Sequence, residues 1–185
     1  MLVRPHDRRI NGMFLVGGRP ERSSVTRGRV MPSSSVILRR AMALGAIDGT
    51  GPVRVWLAQG GVATLESYGN VSPAELPRAH VDWMRALRLS YDDGRRFFVH
   101  AGVDPRKPLA EQEAVDMLWI REPFLSDTRG YGRLVVHGHT PMMTGAPDLR
   151  GNRLNLDTGA VFGGPLSAAA FDDTQTAPLA FLQAT

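Results

Sequence analysis

The second half of the chain is cut into short apolar runs, each closed by glycine, proline or aspartate. This pattern restricts the fold more than any other feature. The runs are RRFFVHAG (95–102), GRLVVHGHT (132–140), NRLNLDTGAV (152–161), LSAAAFDD (166–173) and APLAFLQAT (177–185). They read as strands joined by turns. Two of them end in histidine, and HGHTP places His137 and His139 two apart in a chain with five histidines.

Ahead of these runs the period is helical. SSSVILRRAMALGAI (33–47) reads as a helix with serine at its start, and DGTGP (48–52) as a turn. VWLAQGGVATLESYGN (55–70) reads as two short helical pieces broken at the glycine pair. SPAE (72–75) is a capping box. It opens a helix expected to run to about Leu87, with Leu76, His80, Trp83, Met84 and Leu87 on one face. His80 on that face reads as a packed core residue. LAEQEAVDMLWI (109–120) reads as a further helix with Leu109, Val115, Leu118 and Trp119 apolar. MFLVGG (13–18) fits a short buried strand and RPERSSVTRGRVMPSSS (19–35) a loop. Helices first and strands after imply a layered α/β or α+β domain whose sheet comes mostly from the second half. The expected organisation is a basic, poorly patterned arm over 1–33 and one domain over 34–185.

Composition narrows the chemistry. The 185 residues are 43% hydrophobic and 22% charged, enough for one domain with a core. No cysteine is present, which excludes disulfides, thiolate metal sites and thiol nucleophiles. The formal net charge is +4, with much of it in the first 40 residues. A basic arm can bind nucleic acid or anionic lipid, but this one has few aromatics to stack on bases, which argues against nucleic acid. No apolar stretch reaches the roughly 18–20 residues of a membrane span, and no secretory signal pattern is present. The expected compartment is the cytoplasm.

Four features carry chemical interest: His100 in VHAGVDP, His139 and His137 in HGHTP, Arg121 in LWIREPF, and Asp157-Thr158 in LDTGAV. Neighbouring strand ends lie about 5 Å apart, so His100 and His139 can converge on one divalent cation. Neutral imidazoles suit Zn, Mn or Fe, and a guanidinium fork matches phosphate oxygens. Metal with arginine points to phosphoryl chemistry. Plainer readings stand beside these. A strand-end histidine can be a hydrogen-bonded turn residue, Arg121 can pair with Glu122, Asp116 or Asp127, and Asp157 can cap a turn.

Together the stretches WLAQGGVATLESYG (56–69), FFVHAGVDPRKPL (97–109), MLWIREPF (117–124), VVHGHTP (135–141) and NRLNLDTGAVFGGPLSAAAFD (152–172) resemble the bacterial serine/threonine phosphoprotein phosphatases. These form the PPP branch of the calcineurin-like metallophosphoesterases. The resemblance covers residues 55–173. It implies a four-layer α/β/β/α sandwich with mixed sheets and two divalent metal ions (Mn, Fe or Zn). It implies His100 and His139 as metal ligands and Arg121 as a phosphate contact. It further implies in-line hydrolysis of a phosphorylated protein or small phosphoester by a metal-bridging hydroxide. His137 is not a ligand in that branch, although other metallophosphoesterases place a second histidine near this position.

The chain departs from the pattern at its N-terminal side. The motif GDxHG is not found, and GNHE is missing between PVR (52–54) and VWLAQGG. GDxxDRG has a faint counterpart in RSSVTRG (22–28), where Arg27 would be a phosphate contact while Ser23 and Thr26 stand at the aspartate positions. The alternative register GGRPERS (17–23) puts Gly18 at the bridging position. The sandwich is therefore expected to be incomplete and turnover impaired. Asp7, Glu21, Asp48, Asp104 and Asp157 are the carboxylates that could compensate. Two further readings remain: an inactive remnant or phosphate-binding pseudophosphatase using Arg121, and a dinucleoside polyphosphate hydrolase, which shares HGHT-like and DTG-like elements.

Overall fold

Side-chain alternation in a parallel strand trio builds the main core. The computed structural model describes residues 13–16, 29–31 and 34–184, with side chains from residue 38 onward. It shows two units, one holding Leu89–Thr185 with two N-terminal strands and the other Val36–Arg88. In the first unit, β3 (Ser90–Asp92), β4 (Arg96–Val99), β5 (Leu134–His137), β6 (Asp148–Leu149) and β7 (Arg153–Asn155) form one sheet in the order β3-β4-β5-β7-β6. The central pairs β4/β5 and β5/β7 are parallel, in register Phe98↔Val136 and His137↔Asn155, and both edge strands are antiparallel.

A second sheet orders β2 (Arg29–Met31), β1 (Met13–Val16), β8 (Leu166–Phe171) and β9 (Ala180–Ala184). The strand expected in 13–18 is thus present and pairs in parallel with β8. Both sheets are mixed, and the architecture is α/β.

The two-residue period decides what each face of the first sheet meets. Phe98, Val136 and Leu154 face the second sheet and pack with Ala169 and Phe171. Phe97, Val99 and Val135 face the other way, onto Met117 and Phe124. Met117 belongs to α5 (Ala114–Trp119). Only these six residues of the helix expected over 109–120 form α-helix; Leu109–Glu111 is a separate 3-10 turn. Gln112 explains the break. Its amide group bonds the backbone of Asp104, Lys107 and Pro108 and so ties the chain into a loop.

The second unit is helical, with α1 (Ser34–Ile47), α2 (Val53–Trp56), α3 (Val62–Ser67) and α4 (Arg78–Ala86). The expected break at the glycine pair is present. Gly60 has φ +106°, and a Cβ on Gly61 would lie 2.7 Å from the Trp56 ring. The helix expected from SPAE to Leu87 is interrupted. Pro73–Glu75 is one 3-10 turn, capped by Glu75 accepting the Ser72 amide at 2.8 Å, and α4 starts after Pro77. The core here is Ala43, Ala46, Trp56, Leu76 and Val81. His80 is not a core residue. It is exposed, with Nδ1 2.6 Å from the Tyr68 hydroxyl, and Trp83 is 59% exposed. The interruption at Pro77 re-phases α4 so that Val81 takes the inward position.

One buried charge ties the two sheets together. Arg96, 1% exposed, donates from Nε to Asp93 at 2.7 Å and from Nη2 and Nη1 to the carbonyls of Asp172 (2.8 Å) and Gln175 (3.1 Å). Its guanidinium lies 4.7 Å from the centroid of the Phe171 ring. Substituting Arg96→Met removes the counter-charge from Asp93 and orphans both carbonyls. This should cost roughly 3–5 kcal/mol, read as a lower urea midpoint. The added change Asp93→Asn should recover part of that loss.

Candidate metal centre

Parallel strands send their C-terminal ends to one edge of the sheet, so β4, β5 and β7 deliver residues 100, 139 and 157 to the same place. His100 follows β4 directly, and its Nε2 lies 3.0 Å from Nδ1 of His139. The rings meet at 63° with centroids 4.7 Å apart. Two nitrogens at that separation, each about 2.1 Å from a shared ion, subtend an angle of about 90°. The pair therefore fits two neighbouring ligand positions of one divalent cation.

Both rings are suited to be neutral. Burial, then the neighbouring His139 and His137, push His100 down to about 3. Burial, then the charge of Arg121, lower His139. The ring of His139 also donates to the Trp119 carbonyl. A nitrogen that donates to a carbonyl leaves the other nitrogen bare, and this is the usual outer partner of a ligating histidine. Nδ1 of His139 is then the acceptor facing Nε2–H of His100. Holding a cation requires the His100 proton to move to Nδ1, a buried atom with no protein partner among the described residues.

The segment around His139 is under tension. His139 has φ +69°, a left-handed conformation that costs a non-glycine residue about 1–3 kcal/mol. Asp157 opposes that cost. It is 3% exposed, and its carboxylate accepts the amides of Gly159, at 3.1 Å, and of His139. Burial pushes this carboxyl up and the two amides pull it down, with burial prevailing.

Gly102, also on this edge, has no room for a side chain. A Cβ there would lie 2.3 Å from the Phe124 ring.

Arg121 lines an open groove of about 530 Å³ with His139, Trp119, Val115 and Asp116. It is exposed and forms no ion pair among the described residues, so the plainer alternative of a pairing with Glu122, Asp116 or Asp127 is not seen. Asp116 bonds Lys107 at 3.1 Å and Asp127 bonds Arg129 at 2.8 Å. Val115 and Trp119, expected on the apolar face of a helix, are 58% and 47% exposed and form the groove wall.

His137 takes the opposite direction. It is fully buried, with its ring 4.9 Å from that of Phe124 and its Nδ1 3.1 Å from the Gly138 carbonyl. The left-handed turn at His139 separates the two rings, which an unbroken strand would place on one face.

Among the described residues, the carboxylates that could compensate are committed elsewhere. Asp48 pairs with Arg85, and Asp104 holds Arg106 through Nε (2.9 Å) and Nη2 (2.8 Å). Asp157 is used on backbone amides. Asp7, Glu21 and Arg27 lie outside the described residues. Among the described residues no group of three or more His, Asp or Glu side chains could hold a metal ion. The described part of the site is thus two imidazoles with an adjacent guanidinium.

Asp157 holds backbone amides, in line with its reading as a turn cap, whereas the roles of Trp119 and Gln112 in holding this edge were not foreseen. The available signal for Asp157 was its short spacing from Asn155 at a strand end.

The buried imidazole of His137 makes a pH prediction. Burial pushes it down to about 3. The unfolded chain binds this proton near 6.5 and the folded chain only near 3. Stability is therefore full above about 6.5 and falls as pH drops toward 3. In denaturant titrations over that window, His137→Leu should reduce the proton uptake on unfolding by about one proton.

No protein-family model matches the chain. Over an alignment that covers 66% of its length, the chain is 26% identical to the asymmetrical bis(5'-nucleosyl)-tetraphosphatase PrpE of Geobacillus sp. (strain WCH70). It spans 57% of that relative's length. Among the described residues no helix is long and apolar enough to cross a membrane.

Proposed function

We propose that this chain is a metallophosphoesterase-type hydrolase in which His100 and His139 hold a divalent cation and Arg121 contacts the substrate phosphate. The observation that carries this reading is the 3.0 Å approach of His100 Nε2 to His139 Nδ1 at the edge where Arg121 lines the groove. A bound divalent cation would supply Lewis-acid polarisation of a phosphoryl oxygen and an acidified water. The protein's own groups do the rest. The Trp119 carbonyl fixes the tautomer of His139, and the Arg121 guanidinium, without an ion pair among the described residues, offers two parallel N–H bonds to phosphate oxygens. The incomplete four-layer sandwich of that superfamily, and ions such as Mn, Fe or Zn, belong to the same proposal.

Two substrate classes follow. Resemblance of the strand-end motifs supports a serine/threonine phosphoprotein. The tetraphosphatase activity in the relative's name supports a dinucleoside polyphosphate, and the half-exposed Trp119 indole in the groove suits a stacked base. Parallel assays on a phosphoserine peptide and a dinucleoside tetraphosphate decide between them.

Hydrolysis of p-nitrophenyl phosphate with added Mn should be abolished by His139→Ala. Arg121→Ala should lower kcat/KM by about 10- to 100-fold, the worth of a lost charge-assisted bond of about 1.5–3 kcal/mol. Elemental analysis showing no bound metal, with phosphate binding that still depends on Arg121, would instead support a pseudophosphatase.

A further inference from the structure

We infer that Asn155 and Asp157 are positioning residues that hold His139 in the one backbone conformation that turns its Nδ1 toward His100. This rests on the reading of the two imidazoles as cation ligands. Three bonds tie the end of β7 to the HGHTPM turn, and a fourth braces that end internally. The Asp157 carboxylate accepts the His139 amide, and the Asp157 carbonyl accepts the Met142 amide at 2.8 Å. The Asn155 side chain donates to the Thr140 carbonyl at 2.8 Å and accepts the Asp157 amide at 2.9 Å. The residues on both sides of His139 are also anchored. The Gly138 amide donates to the His100 carbonyl at 2.9 Å, and the Thr140 amide to the Gly138 carbonyl at 2.8 Å.

His139 is one of two non-glycine residues with positive φ among those described, so its conformation is held by its surroundings rather than by its own preference. Asp157 and Asn155 are 3% and 1% exposed, which keeps water from replacing their bonds to the turn. Both side chains bond backbone groups: Asp157 the amides of His139 and Gly159, Asn155 the Thr140 carbonyl and the Asp157 amide. They act on the cation through His139 alone, and this separates a positioning role from a ligating one.

Full-length protein with Asp157→Asn tests this at constant volume. In metal-free protein, NMR should show the contact between the His100 and His139 rings lost and faster exchange of the His139 amide. Cobalt(II) titration should show affinity weakened by about tenfold or more, as for other outer partners of ligating histidines. In a His139→Ala background the same substitution should change cobalt affinity no further. An unchanged ring contact with unchanged affinity, or an equal loss of affinity in both backgrounds, overturns the inference.

Wild-type protein that binds no cobalt while its ring contact still responds to Asp157→Asn upholds the positioning role and removes the metal reading. If Asp157→Asn does not fold, Asn155→Ala gives the same reading from the Thr140 side. It should loosen the ring contact, and an undisturbed contact overturns the inference.

Discussion

The parallel pairing of β4, β5 and β7 is the constraint on which the candidate site depends. Antiparallel neighbours would send successive strand ends to opposite edges. Here three strands run together, with Phe98 beside Val136 and His137 beside Asn155. Each strand's first residues beyond the ladder therefore meet at one edge, outside the carboxyl ends where α/β folds bind ligands. His100, His139 and Asp157 come from segments far apart in sequence and need no further device to converge. The buried faces fix this arrangement. A slip of one residue would turn Phe98, Val136 and Leu154 away from the second sheet and bring Phe97 and Val135 into their place.

Burial does two jobs at this edge. It strips water from the imidazoles, so His100 and His137 stay neutral far below the usual histidine range. It also makes each remaining polar contact decisive, because an unmade bond there is not replaced by solvent. The two rings then diverge in use. His137 spends its burial on packing against Phe124, while His139 is swung out by a left-handed turn and meets His100. One dihedral angle thus separates a core residue from a candidate ligand two positions along.

The strands β1, β4, β5, β7, β8 and β9, the glycine break at residues 60–61 and the convergence of His100 and His139 were legible in the sequence, because each follows from short-range pattern and strand direction; β2, inside the stretch 19–35 read as a loop, and the short edge strands β3 and β6 were not. Other features were not. Val115 and Trp119 have the spacing of a buried helix face, yet a six-residue helix broken from its preceding turn by Gln112 leaves them outside. His80 fell out of the core because Pro77 reset the phase of α4. Arg96 was not singled out, although it shares a face with Phe98 and is buried there. Its partners at Asp172 and Gln175 are too distant in sequence for any local pattern to reveal. The bonds to His139 depend on backbone amides, which leave no trace in residue type.

Charge balance sets the remaining condition on the site. Two neutral imidazoles and one guanidinium bring no negative charge to a divalent cation; of the described carboxylates nearby, Asp104 and Asp116 pair with Arg106 and Lys107, Asp157 accepts backbone amides, and Glu122 on the groove wall accepts the Ser126 hydroxyl and amide. A cation at the His100–His139 pair would add two positive charges beside the Arg121 guanidinium, in an open groove whose lining carboxylates are Asp116 and Glu122. An anion that bridges the cation and Arg121 relieves that repulsion, so each would bind better in the presence of the other. In a site of this composition a phosphate group would therefore help to hold the cation, as well as being the group on which the cation would act.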